Sequence, residues 1–231
     1  MKYVIIGPIF RLLFRPWAEG VENIPKDGPV VLCPNHLSFI DSFLVPVMIP
    51  RKVVFLGKSD YFDKWYTRWF YAGVGVIPVR REGGSAGEAS LQAGVEQLKK
   101  GMVVGVYPEG TRSPDGRLYR GKTGPARMAL RAHCPIIPVA VFGTNDALPT
   151  GKYIPKRRRV GVRYGKPLDF SRYDGKEDDR FVLRSVTDEL MYELMLLAGQ
   201  EYVDEYASKF KKGGARPASS LGSGEPERRA S

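Results

Sequence analysis

The feature that most constrains this chain is an alternation repeated along it: short β-branched apolar runs closed off by proline or glycine, separated by stretches whose apolar residues recur at helical spacing. Pro29 and Pro34 enclose Val30, Val31, Leu32 and Cys33, the pattern of a strand buried on both faces. Similar runs occupy 53–56, 74–79, 102–107 and 136–142, and a shorter alternating one covers 160–164. Between them, 61–71, 86–100 and 125–132 read as helices, with Leu91, Val95 and Leu98 on one face of the second. A last helix is predicted over 178–209, where Val182, Val186, Leu190, Leu194 and Leu197 form one stripe. Strands without a wet face, joined by helical crossovers, build a parallel sheet covered on both sides. The predicted fold is therefore α/β: a single domain with a mostly parallel central β-sheet flanked by helices.

The two ends read differently. Residues 1–17, MKYVIIGPIFRLLFRPW, are interrupted by Lys2, Arg11 and Arg15 and fall short of the roughly 18 to 20 apolar residues needed to cross a bilayer. They do not resemble a cleavable signal either. The segment reads as an N-terminal interfacial membrane helix, with Val4, Ile5, Ile9, Leu12 and Leu13 among acyl chains and Trp17 at headgroup level. A helix packed on the protein's own core is the competing reading. Residues 18–210 form the α/β domain, and 211–231, poor in large apolar residues, are expected to be a disordered basic tail. The run Lys156, Arg157, Arg158 and Arg159 reads as a solvated loop ahead of an attachment site.

A net charge of +11 calls for anionic partners: nucleic acid, an anionic bilayer or a phosphorylated substrate. Aromatic and basic residues are not interleaved in a recognisable nucleic-acid motif, so no specific nucleic-acid partner is expected. The two cysteines, Cys33 and Cys134, sit in apolar segments and support neither a disulfide framework nor a cysteine-rich zinc site. A reducing compartment fits. Cys33 reads as a buried free thiol rather than a nucleophile.

Two segments can carry chemistry. His36, one of two histidines, leaves the strand at 30–33 and is followed five residues later by Asp41. A carboxylate that accepts the proton of one imidazole nitrogen leaves the other free to act as a base near neutral pH. A turn-capping histidine beside an unrelated aspartate has the same spacing. The second segment, YPEGTRSPDGRLYRGKTG, follows the strand at 102–107. Glu109, Gly110, Thr111 and Arg112 offer amides, a hydroxyl and a guanidinium to a phosphate; an ordinary polar loop is the alternative. Lys58, just beyond the strand at 53–56, and Lys122, just beyond the phosphate block, are placed to add charge to the same pocket or to be plain surface lysines.

NHLSFID, residues 35–41, and YPEGTRS, residues 107–113, resemble the Asn-His-four residues-Asp and Phe-Pro-Glu-Gly-Thr-Arg-Ser blocks of the lysophosphatidic acid (1-acyl-sn-glycerol-3-phosphate) acyltransferase family. GVIPVRR, residues 75–81, is similar to the arginine-ended block between them, and CPIIPVAV, residues 134–141, to the proline-flanked strand that follows. The resemblance implies that His36 is the general base, that Asp41 orients it, and that Arg81, Glu109, Gly110, Thr111 and Arg112 bind the phosphate of the acceptor. Arg80 stands where an aspartate often precedes the arginine, so either guanidinium is a candidate, and Tyr107 replaces a phenylalanine. It further implies acyl transfer from acyl-CoA or acyl carrier protein to a lysophospholipid, with no metal and no bound cofactor. The expected setting is peripheral, on an anionic membrane surface at the cytoplasmic face of the cell membrane. Glycerol 3-phosphate or a glycolipid is an alternative acceptor; a thioesterase and an anionic-lipid or nucleic-acid binding module are rival readings.

Overall fold

Val30 and Leu32 pack into one apolar cluster and Val31 and Cys33 into another, and all four are fully buried. Alternation of this kind puts a strand at the centre of a sheet covered on both faces. The computed structural model describes residues 7–58, 76–79 and 86–212. In chain order its elements are α1 (Gly7–Phe14), β1 (Trp17–Glu19), β2 (Val30–Pro34), α2 (Asp41–Val47), β3 (Val53–Lys58), β4 (Val76–Val79), α3 (Ala86–Lys99) and β5 (Val103–Gly105). There follow β6 (Leu118–Tyr119), α4 (Gly124–Arg131), β7 (Ile136–Phe142), α5 (Thr144–Ala147), β8 (Gly161–Tyr164), α6 (Arg180–Ala198), β9 (Tyr202–Val203) and α7 (Ala207–Lys212).

Among the described residues the main sheet runs β1-β8-β7-β2-β5-β3-β4. Every neighbouring pair is parallel except β7–β8. The mostly parallel α/β sheet expected from the sequence is therefore the observed architecture. One face is covered by α1 and α2 through Phe10, Phe14, Phe43 and Leu44. The other carries α3, α4 and α6, whose Leu91, Leu98, Met128, Leu183, Val186 and Leu190 pack on Val31, Val104 and Ile136.

Three expectations need adjustment. The predicted helix over 178–209 stops at Ala198, because Gly199 takes a left-handed conformation (φ 63) and its N–H caps Met195 O, a conformation costly for residues with a Cβ. The chain then forms β9 and α7, the latter running past the expected boundary at 210. In α1, Phe10 and Phe14 belong to the protein's own core, while Leu12 is 70% exposed. The core-packed reading thus holds for these two rings, and Leu12 faces away from that core. Val4 and Ile5, the side chain of Ile9, the helix expected at 61–71 and the tail beyond 212 lie outside the described residues.

The β1–β8 edge is closed by Trp17, which stacks on Phe142 with ring centroids 5.4 Å apart. A Cβ on Gly161 would lie 1.9 Å from Cε2 of that ring, so the ring or the strand must shift to admit one. Gly161→Ala is expected to cost about 1–3 kcal/mol, read as a lower thermal midpoint; an unchanged melt contradicts the packing described.

Candidate active site

Parallel strands point their carboxyl ends the same way, and in such sheets ligands bind along that edge. His36 follows the end of β2 by two residues and Glu109 follows the end of β5 by four, while register sets Lys58 of β3 beside Val79 of β4, the residue before 80 and 81. β2, β5, β3 and β4 are consecutive in the sheet, so the motif-bearing segments leave one edge. Asn35 pins the exit from β2: fully buried, it accepts from Val141 N–H (2.8 Å) and donates to Gln200 Oε1 (2.7 Å).

Asp41 opens α2 and is fully buried. Its Oδ2 accepts the N–H groups of Leu37 (2.7 Å) and Ser38 (2.8 Å) and lies 3.0 Å from His36 Nδ1. An ionised carboxylate only accepts, so Nδ1 carries the proton and Nε2 keeps its lone pair. The oxygen that closes the turn is also the one that holds the ring, so the aspartate is not unrelated to the histidine. The imidazole stacks on Tyr107 (centroids 3.7 Å apart, planes at 15°), which stacks in turn on Phe55 at 5.5 Å. The Tyr107 hydroxyl shares a 2.9 Å hydrogen bond with Ser42 Oγ, so the replacement of phenylalanine adds a tether beside Asp41. The His36 side chain is 15% exposed, enough for one edge to meet a substrate.

The block at 107–113 grips the backbone of His36 from both sides. Glu109 Oε1 accepts His36 N–H (3.1 Å), and Ser113 N–H donates to His36 O (2.7 Å). The other Glu109 oxygen accepts Tyr119 N–H at 3.0 Å. Glu109 is only 1% exposed; burial pushes its carboxyl up from 4.5 to about 7, against the pull of the two N–H donors. This corrects the expectation that Glu109 contacts a headgroup: both oxygens face the protein, where they join the two motifs.

Gly110 is exposed with φ +70, and a Cβ there would meet Lys122 Nζ at 3.0 Å, so the ammonium lies over the glycine. Lys122 N–H also donates to Pro108 O (2.8 Å). Thr111 and Arg112 are half-buried in the same turn. His36, Asp41, Glu109, Gly110, Thr111, Arg112 and Lys122 thus share one region. Arg80, Arg81 and the side chain of Lys58 lie outside the described residues. Among the described residues, no group of three or more His, Cys, Asp or Glu could hold a metal ion, and no helix is long and apolar enough to cross a membrane.

Sequence reasoning missed the C-terminal strap behind this region. Gln200 accepts from Asn35 and donates to Gly116 O. β9 pairs with β6, and Phe210 of α7 meets the Tyr119 ring at 5.3 Å. The available signal was Gly199, which marks where the helix ends and the strap begins.

Two outcomes follow from these contacts. An acid whose folded pKa is raised contributes stability that is full below its ordinary 4.5 and lost as pH rises through about 7. Glu109→Gln removes that dependence, so the variant's melting midpoint is expected to rise relative to wild type across this window; a constant offset contradicts it. Gln200→Ala leaves the buried Asn35 amide unpaired, at about 1–3 kcal/mol. In a double-mutant cycle with Asn35→Ala the losses are expected to be non-additive by about 0.5 kcal/mol or more; additive losses count against the bridge.

A family model described as Acyltransferase matches residues 16–142. The chain is 32% identical over 197 residues to the chloroplastic 1-acyl-sn-glycerol-3-phosphate acyltransferase LPAT1 of Arabidopsis thaliana, covering 74% of this chain and 55% of that protein. It is 34% identical over 158 residues to the chloroplastic 1-acyl-sn-glycerol-3-phosphate acyltransferase BAT2 of Brassica napus, covering 68% and 46%. The chain therefore spans about half the length of these plant relatives. It is 30% identical over 161 residues to the 1-acyl-sn-glycerol-3-phosphate acyltransferase of Bacillus subtilis (68% and 76% covered). Its fold resembles the crystal structure of the 1-acyl-sn-glycerophosphate (LPA) acyltransferase PlsC from Thermotoga maritima, with a TM-score of 0.64 at 28% identity over 82% of this chain and 76% of that one.

Proposed function

Because this chain belongs to the 1-acyl-sn-glycerol-3-phosphate acyltransferase family, we propose that it moves a fatty acyl group from acyl-CoA or acyl carrier protein to the free hydroxyl of 1-acylglycerol 3-phosphate, giving phosphatidate. The observation that carries this reading is the double hold on His36: its imidazole is fixed by Asp41, and its peptide groups are bonded to Glu109 and Ser113. Base and phosphate block are thereby held in one register.

In the proposed reaction His36 Nε2 takes the acceptor's hydroxyl proton as the oxygen attacks the thioester carbonyl. Asp41 stabilises the imidazolium so formed. The tetrahedral intermediate collapses with cleavage of the C–S bond, and the imidazolium returns its proton to the leaving thiolate. The N–H groups of Leu37, Ser38, Gly110 and Ser113 already donate within the fold, so the oxyanion's donors come from other groups on this edge. The acceptor phosphate is assigned to Arg112, Thr111 and Lys122, with Gly110 leaving room for its close approach and Arg81 or Arg80 and Lys58 proposed as further cations. No metal or bound cofactor enters these steps. The enzyme is proposed to work as a peripheral protein on an anionic membrane surface at the cytoplasmic face, with Leu12 of α1 turned to lipid.

The test supplies labelled acyl-CoA and lysophosphatidate to the purified protein and identifies lipid products by mass spectrometry. Phosphatidate is expected, and His36→Ala should lower kcat/KM by about 10² to 10⁴ with an unchanged melt. Release of free fatty acid irrespective of acceptor would instead identify a thioesterase, and activity surviving His36→Ala would remove the assigned base.

A further inference from the structure

The loop between α5 and β8 exposes two adjacent large apolar side chains, Tyr153 at 94% and Ile154 at 84%. Around them Lys152, Lys156, Arg157, Arg158 and Arg159 are all exposed. No aspartate or glutamate occurs between Asp146 and Asp169, and none of Lys156 to Arg159 forms an ion pair with another described residue. The loop is nonetheless tied down: Lys152 N–H donates to Pro149 O (3.0 Å), and Lys156 N–H to Ala147 O (2.7 Å). Its apolar tip is held out in solvent, where it gains nothing for the fold.

The same surface continues on both sides. Arg157 donates to Leu12 O (3.4 Å) and Val160 N–H to Phe14 O (3.2 Å), which places the loop against α1 and its exposed Leu12. Ser38 Oγ donates to Leu148 O (2.7 Å), and the next residue, Phe39, is 43% exposed within the turn that holds His36 and Asp41. Apolar tips rimmed by cations are the composition of a surface that enters the headgroup region of an anionic bilayer. Nucleic acid would use the cations and the tyrosine but would leave Ile154 without a partner.

We propose that the 149–159 loop is a membrane-docking element. Tyr153 and Ile154 enter the boundary between headgroups and acyl chains, while Lys152 and Lys156 to Arg159 bind lipid phosphates. This deepens the reading of the site as a lipid acyltransferase and rests on it only for the purpose of docking: the seated loop brings the turn bearing His36 to the lipid surface.

The test uses the full chain with phosphatidylcholine vesicles that contain or lack phosphatidylglycerol. In co-sedimentation, Tyr153→Ser/Ile154→Ser is expected to weaken binding to the anionic vesicles by about tenfold. Replacing the four residues 156–159 by glutamine is expected to weaken it by about 600-fold at low salt, at about fivefold per charge. A polarity-sensitive dye on Tyr153→Cys reads the loop itself, since Cys33 and Cys134 are buried; its emission should shift to the blue with anionic vesicles alone. Unchanged partition of the serine pair, a dye that does not shift, or binding to duplex RNA in place of vesicles overturns the proposal. Acyl transfer to detergent-dispersed acceptor by the serine pair should equal that of wild type. If wild type itself fails in that assay, the enzymatic reading falls, while the vesicle measurements still judge the loop.

Discussion

One oxygen organises the site. Asp41 is fully buried and its Oδ2 gathers two backbone N–H groups and the imidazole, whereas Oδ1 has no partner among the described residues. Burying a carboxylate is costly unless donors replace the lost water, and here the donors come from the turn that the carboxylate closes. The turn cannot open without stranding the charge, and the charge is bearable only with the turn closed. The imidazole tautomer, the direction of its free nitrogen and the start of α2 follow from this one arrangement.

The hold extends outward through Glu109, which does for the backbone of His36 what Asp41 does for its ring. A family block can be read as a set of substrate contacts, but its most buried member faces inward and spans between strands. The exposed Gly110 and the half-buried Thr111 and Arg112 sit on a loop that Glu109 and Ser113 fix from behind. Glu109 sits uneasily between ionised and neutral near pH 7, so the joint between the two motifs is stabilised by hydrogen bonds and strained by desolvation at once.

Much of this was legible from the chain. β2 and β7 were marked by apolar runs with breakers beside them, and the order of strands and helices implied a parallel sheet; the spacing from His36 to Asp41 left a base and a turn cap open, and the family resemblance implied the base and its orienter. What escaped depends on long-range partners. The stripe over 178–209 carried no sign that Gly199 would outweigh it, nor that the residues beyond would return to pair with β6. Glu109 was placed by its neighbours in sequence, while its real partners, His36 and Tyr119, were chosen by the fold. The N-terminal apolar residues read as membrane contacts ahead of core packing, although both environments remove the same apolar surface from water.

The crossing of β8 beside β7 carries a consequence for how such a protein can be divided. The segment matched by the family model ends at Phe142, yet β8 hydrogen-bonds to the far side of β7 and α6 covers Ile136 from behind. A fragment stopping there would retain all four blocks and bare a long apolar edge strand, open to pairing with another copy. The recognisable chemistry and the smallest unit that pairs and covers β7 are therefore different lengths of chain.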